Sequence, residues 1–338
     1  MKMKTFQLAA TLLAFAAFSL FSCNTASKKS ADTEEAETVQ TEEVADFQLS
    51  LAQWSLHKTF YGGPISDWQT FGQKLMTDPD ALLVGPDPME FPAMAASYGI
   101  YCIELVNQFY MSKANDMEYW AQFKKKCEEA GVTVGLIMCD ALGNLGDADP
   151  EVRKATVEKH HAWVDIAAFL GAHSIRVNAG GEGKAEEVAV NAADGLKMLG
   201  EYGQTKGINV IVENHGGYSS NGKWLSGVME AVGMDNVGTL PDFGNFCIQS
   251  GPDGCVDQYD PYLGLEEIMP YAKGVSAKSH NFDAEGNETE KDYLRMMKIV
   301  KESGFKGYVG IEYEGSELSE EEGIKATKAL LERVFAQL

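Results

Sequence analysis

One pattern constrains the fold of this chain more than any other: short β-rich runs alternate with stretches of helical periodicity. Eight such runs occur, at 49–57, 100–106, 132–139, 174–178, 209–215, 237–242, 274–280 and 308–313. The stretches between them carry stripes suited to a core-facing helix. In the third, Trp163, Ile166, Ala167 and Leu170 fall at i, i+3, i+4 and i+7, and Gly171 follows where a helix ends. The last shows Ile324, Thr327, Leu331, Val334 and Leu338 at the same spacing. Strands that alternate with helices of this length make βαβ units, hence a parallel sheet. Eight units without a linker predict closure into a single α/β (β/α)8 TIM barrel over 47–338. An open doubly wound sheet would want a glycine-rich phosphate loop after the first strand. The first run ends instead at His57, followed by a long excursion to about Pro88 with a short helix over 66–76.

The N-terminus does not belong to that body. Lys2 and Lys4 precede an uncharged apolar run from Leu8 to Phe21, which then meets Ser22-Cys23. The run has the length of a signal segment and is short for a membrane span. Its end resembles the lipobox of bacterial lipoproteins, which implies a cleaved signal at 1–22 and a lipidated Cys23. Residues 23–46 are polar and acidic, too poor in apolar groups to offset ordering entropy, and read as a disordered tether. The expected location is the cell envelope, on the periplasmic side or the outer surface, with the membrane touched only through the lipid. Against 50 acidic residues stand 28 basic ones, a formal charge of −22, which repels phosphate backbones and excludes a nucleic-acid partner. Of six cysteines, five lie in the body without CxxC spacing, so no zinc ribbon or redox motif is indicated. Cys247 and Cys255 flank a Gly/Pro turn, and an oxidising compartment would let them pair.

In barrels of this kind, functional residues project from the C-terminal ends of the strands. The fifth run ends in Glu213-Asn214-His215 and the sixth in Asp242, with Asn245 three residues on. In the seventh, Ser276, Lys278 and His280 share a face, and the eighth places Glu312 at its end and Glu314 in the turn after it. Carboxylates this close cannot all stay ionised without a cation between them. An oxygen-rich set with one imidazole suits Mn²⁺, Mg²⁺ or Co²⁺, and admits Zn²⁺.

These strand ends resemble the xylose isomerase-like barrel superfamily of sugar isomerases, epimerases and inosose dehydratases, over essentially the whole chain from Phe47. The resemblance implies one divalent metal ion held by Glu213, Asp242, His280 and Glu312, with Glu213 and Glu312 as the pair that removes and returns a proton. It also implies that the metal polarises a keto-sugar so that an enediolate can form. The match is not complete. The family's sixth-strand motif is Asp-x-x-His, whereas this chain has Asn245, which cannot shuttle protons. The arginine expected after the seventh-strand histidine is also missing, and Lys278 offers a cation instead.

Other residues expected to line the cavity are His57, Glu104, Arg176 and His215. Glu104 and Arg176 are equally suited to a buried ion pair between barrel layers. The resemblance therefore implies a sugar isomerase or epimerase acting on a free or glycosidic keto-sugar, a small carbohydrate. A lyase or dehydratase on a keto-sugar or inosose would use the same site, and a non-catalytic sugar-binding lipoprotein is a third reading. A homo-oligomer stays open. The nucleases of the superfamily need more histidines than the six present.

Overall fold

The structure is a computed structural model that describes residues 46–252 and 254–338. The expected signal segment, Cys23 and the tether up to residue 45 lie outside the described residues.

Eight parallel strands form the central sheet: β1 (Phe47–Ala52), β2 (Cys102–Val106), β3 (Thr133–Met138), β4 (Ser174–Val177), β5 (Asn209–Glu213), β6 (Val237–Leu240), β9 (Val275–Ser279) and β10 (Gly307–Tyr313). Their order is β6-β5-β4-β3-β2-β1-β10-β9. The two ends meet through parallel bridges, Thr239 with Ala272 and Asp242 with Ser276, which close the sheet into the expected barrel. The strands are buried on both faces, so they read as near-continuous apolar runs rather than clean alternation.

Helices cover the outside: α3 (Phe91–Ser97), α4 (Met117–Ala130), α5 (Pro150–Leu170), α6 (Ala185–Lys206), α7 (Gly222–Val232), α8 (Pro261–Ile268), α9 (Tyr293–Glu302) and α10 (Glu320–Phe335). The stripe predicted in α5 is the buried one, and Gly171 caps that helix at φ 82°. A left-handed C′ position costs glycine nothing, and this sharp stop lets β4 begin three residues later. The rings of Trp163 and Trp120 meet edge to face with centroids 6.2 Å apart, both fully buried between α5 and α4. Losing one such ring from a core costs about 3–5 kcal/mol. In α10, Ile324, Thr327, Leu331 and Val334 are buried as predicted, and a Ser319–Glu322 capping box starts the helix.

Two segments depart from the expected strands. The first strand stops at Ala52, and His57 opens a short helix, α1 (His57–Tyr61), rather than ending a strand. The cause is Ser55, whose hydroxyl donates to the Ile311 carbonyl (3.2 Å) and accepts from the Tyr313 amide (2.9 Å). A side chain thereby supplies the contacts that a longer β1 would make to β10. The excursion that follows carries α2 (Trp68–Thr77) over the C-terminal mouth of the barrel. The second departure is an antiparallel hairpin after β6, formed by β7 (Cys247–Gly251) and β8 (Gly254–Gln258). Cys247 and Cys255 are joined across it by a disulfide.

Candidate active site

The ends of β5, β6 and β10 bring Glu213, Asp242 and Glu312 together, all buried, with one oxygen of each within 4.8 Å of the others. Each is held by a different device. Asp242 Oδ1 accepts from the amides of Gly244 and Asn245 (both 2.8 Å), while Asn214 clamps the Asp242 backbone at N and O. Glu213 accepts from Asn245 Nδ2 (2.9 Å) at one oxygen. Its other oxygen, Oε2, stands 2.7 Å from Arg176 Nε yet at an angle that makes no hydrogen bond. Glu312 pairs in register with Lys278 on the adjacent strand.

The shared face of Ser276, Lys278 and His280 is present, but its three members sit at three depths. Ser276 is the deepest. Its hydroxyl lies 2.7 Å from Asp242 Oδ2 and 2.9 Å from Glu312 Oε2. A hydroxyl has one proton to give, so both contacts are hydrogen bonds only when one carboxyl is protonated. Glu312 is that carboxyl. Burial pushes its pKa well up, and the charges of Glu213, Glu314 and Asp242 add to this against the opposing pull of Lys278. Lys278, one step higher, contacts Glu314 (2.9 Å), Glu312 (3.4 Å) and Asn245 Oδ1 (3.4 Å). Burial alone would discharge this lysine, but the surrounding carboxylates outweigh it and hold the ammonium charged. The same contact keeps Glu314 ionised, down to about 2 despite burial.

His280, one residue past the end of β9, does not join the three carboxylates. Its Nδ1 lies 3.0 Å from Lys291 Nζ and 3.6 Å from Glu290, and its amide donates to Glu288. The loop between β9 and α9 has captured the ring at the rim. Ser276, not His280, is the β9 residue that contacts Asp242 and Glu312.

Glu104 and Arg176 do not pair with each other. Arg176 Nη1 binds Asp140 Oδ1 at 2.6 Å, and the guanidinium bridges Asp140 and Glu213. Asp140 was not among the expected residues, although the strand-top rule applied to the third run reaches it, directly after Cys139. Ala141, which follows, is the one non-glycine residue with positive φ (59°) among those described. A strained backbone beside a buried charge pair marks a geometry that the surrounding structure enforces. Burial opposes ionisation of Asp140, but Arg176 and His215 prevail and its pKa is lowered.

A cavity of about 320 Å³ opens above these groups. His57, Asn245, Lys278, Glu312, Arg176 and the rim residue His215 line it, as expected, joined by Asp140, Glu314, Gln108, Trp54 and Trp68. Trp68 on α2 is 60% exposed and overhangs the opening. Its place could not be read locally, because it depends on how the excursion folds back.

A family profile for xylose isomerase-like TIM barrels matches residues 92–334, most of the chain. The chain belongs to this family. The xylose isomerase-like barrel of this protein is similar to that of a Mycobacterium smegmatis family member crystallised with magnesium (15% identity, TM-score 0.60, covering 86% of this chain and 97% of that one). It is similar also to a D-tagatose 3-epimerase-like protein (15%, 0.61, 86% and 97%). A 3-keto-D-glucoside 4-epimerase from E. coli matches at 13% identity and TM-score 0.58 over 73% and 94%. Identities this low speak for the fold. No curated protein matches the chain in sequence.

Glu104 lies below this layer and outside the cavity lining. It accepts from Ser50 Oγ (2.6 Å), and its Oε2 has no partner. Gly310 on β10 leaves it room, since a Cβ there would stand 2.7 Å from the carboxylate. Burial raises the Glu104 pKa to about 7, against the opposing bond from Ser50. The sign follows from proton counts. Between its unfolded value near 4.5 and about 7, the native chain holds a proton that the unfolded chain has lost, so stability falls as pH rises. That window is worth about 3 kcal/mol at roughly 1.4 kcal/mol per pKa unit. Glu104→Gln is therefore expected to flatten the stability profile between pH 5 and 8 in urea melts. An unchanged slope would show that Glu104 is not proton-linked to folding.

Proposed function

We propose that this family member is a divalent-metal-dependent sugar isomerase or epimerase that moves a proton next to the carbonyl of a free or glycosidic keto-sugar. The observation that carries the reading is the convergence of Glu213, Asp242 and Glu312 in one buried cluster below an open cavity. The donors fit a metal ion: three carboxylates gather within ligand distance, and Glu213 Oε2 is buried without a hydrogen bond. Even with Glu312 neutral, Arg176 and Lys278 alone do not balance Asp140, Glu213, Asp242 and Glu314. Without the His280 imidazole, the set is three carboxylates, all oxygen, and favours Mg²⁺ or Mn²⁺ over Co²⁺ or Zn²⁺. When bound, the ion supplies positive charge at the carbonyl and hydroxyl oxygens of a ketose, which acidifies the C–H bond between them.

The chain's own groups do the rest. Glu213 and Glu312 come from strands three apart in the closed barrel, so they approach a bound sugar from different sides. One carboxylate takes the carbon-bound proton, and the other returns it to the opposite face or the neighbouring carbon. Ser276, between Asp242 and Glu312, links two carboxyls through one hydroxyl and keeps a proton available there. Asn245 orients Glu213, and Lys278 holds positive charge beside the oxygens that become negative.

The test is exchange. Purified protein with Mg²⁺ or Mn²⁺ in D₂O, given D-fructose, D-tagatose or a 3-keto-glucoside, is expected to wash deuterium into a carbinol carbon of at least one, and EDTA is expected to stop it. Binding of all three without any exchange would leave a sugar-binding protein and sink the enzymatic reading. We further propose that the activity resides in the cell envelope on a lipidated Cys23. The leader pattern supports this, and the Cys247–Cys255 disulfide fits an oxidising compartment.

A further inference from the structure

Returning a proton to the opposite face of a carbon takes two carriers, and the carboxylate pair provides them. The cavity holds a third. His57 lines it from the C-terminal side of β1, and β1 lies opposite β5, the strand that carries Glu213, in the ring of eight. The His57 ring is fixed on three sides. Its Nδ1 is 2.7 Å from the Trp54 carbonyl, which can only accept, so Nδ1 carries a proton and Nε2 is the nitrogen that exchanges protons. The ring stacks on Trp54 at 4.7 Å and 12°. Behind it, Glu320 lies 3.7 Å from Nδ1.

Glu320 is itself buried, at the start of α10, and is locked by three donors of α1: the amides of Lys58 (2.7 Å) and Thr59 (2.9 Å) and the Thr59 hydroxyl (2.6 Å). An imidazole aligned by a carbonyl and backed by a fixed carboxylate is built to carry a proton at its other nitrogen. The charged groups around it are Glu320 from α10, Glu314 from the turn after β10, and Lys58 from α1, whose ammonium is tied to the Gly315 carbonyl.

We propose that His57 is a general acid toward a leaving oxygen, so that this site eliminates an alcohol from a sugar ketone whose oxygen substituent lies β to the carbonyl. The proposal rests on the reading above that a carboxylate removes the proton next to the carbonyl. The step balances. A carboxylate takes the C–H proton, and the C–H electron pair becomes the enolate. The enolate reforms the ketone with a carbon–carbon double bond as the bond to the β oxygen breaks. That oxygen leaves with its electron pair and takes the proton from Nε2. The products are an enone and an alcohol, and both protein groups return to their starting states by exchange with water. Acid and base on opposite walls suit departure from the face opposite proton removal, and the exposed ring of Trp68 gives the departing group an apolar surface at the mouth.

The experiment compares His57→Asn with the unaltered protein, both with Mg²⁺, on methyl 3-keto-α-glucoside, whose C2 hydrogen and C1 oxygen lie on opposite faces, and its 4-nitrophenyl α counterpart. Methanol needs a proton to leave and nitrophenolate does not. The expected result is a 10²-fold or greater loss of methanol release with less than tenfold loss of nitrophenol release. The second substrate also reports that the variant is folded. Equal losses on both substrates, or none on either, overturn the assignment of His57. Deuterium exchange at carbon 2 is read in the same samples: the absence of both exchange and alcohol release from the unaltered protein would fail the carboxylate reading. Exchange without release of either alcohol would leave that reading standing and overturn the elimination.

Discussion

Glu312→Gln is expected to lower proton exchange at the sugar carbon by about 10²–10⁴-fold while leaving the fold as stable as before, or more so. The two halves of this expectation have one cause. Glu312 is buried among Glu213, Asp242 and Glu314, and that crowding drives its pKa well above the ordinary carboxylate range. A neutral amide of the same shape therefore replaces a group whose ionisation the site disfavours while no metal is bound. It still meets the Ser276 hydroxyl, and Lys278 keeps Glu314 as its partner. The amide cannot give up or take a proton, and it is a poorer metal ligand than a carboxylate. Exchange rate and urea midpoint, measured on the same preparation, check both halves. A variant with full exchange would remove Glu312 from the chemistry. A variant that unfolds would mean that the carboxylate acts as an anion in the resting structure, contrary to its environment.

The barrel was legible in the sequence because its signal is repeated eight times and each repeat is local. Strand and helix periods alternate, and a glycine such as Gly171 ends a helix where the pattern says it should. The site was legible to the extent that it obeys the rule placing chemistry at strand tops, and Glu213, Asp242, Glu312, Lys278 and Asn245 meet accordingly. Alternation also found the face shared by Ser276, Lys278 and His280, yet alternation carries no information about depth. Strand β9 stops at Ser279, so His280 turns with the loop toward Lys291, and the small Ser276 reaches the carboxylates instead. Partners supplied from far along the chain were harder still. Glu320, which locks α1 behind His57, is separated from it by most of the sequence and sits in an acidic run that reads as ordinary helix surface. The partner of Arg176 escapes the pattern for a simpler reason: Asp140 stands one residue beyond a recognised run, whereas Glu104, the pairing weighed beside a cavity role, stands on one.

That last partner sets the largest expected effect on stability. Arg176→Met is expected to cost about 3–5 kcal/mol, because it leaves the buried carboxylate of Glu213 and the half-buried one of Asp140 without their shared cation. Surface ion pairs are worth a small fraction of this, but the Arg176 side chain is 4% exposed and that of Glu213 is not exposed at all. The pH dependence gives the argument a second handle. Arg176 holds the Asp140 pKa below its unfolded value, so the pair contributes stability above that value and loses it as pH falls through the folded one. In Arg176→Met this acid limb should vanish, and the variant should approach the unaltered protein as the solution becomes acidic. Adding Asp140→Asn should recover part of the loss, since an amide keeps its bond to Asn178 and brings no charge that needs a partner. Urea midpoints for the two single variants and the double variant from pH 3 to 8 measure all of this. A loss below about 1 kcal/mol at neutral pH, the range of an exposed pair, would mean that water reaches the carboxylates and that the cluster is not the dry site its burial indicates.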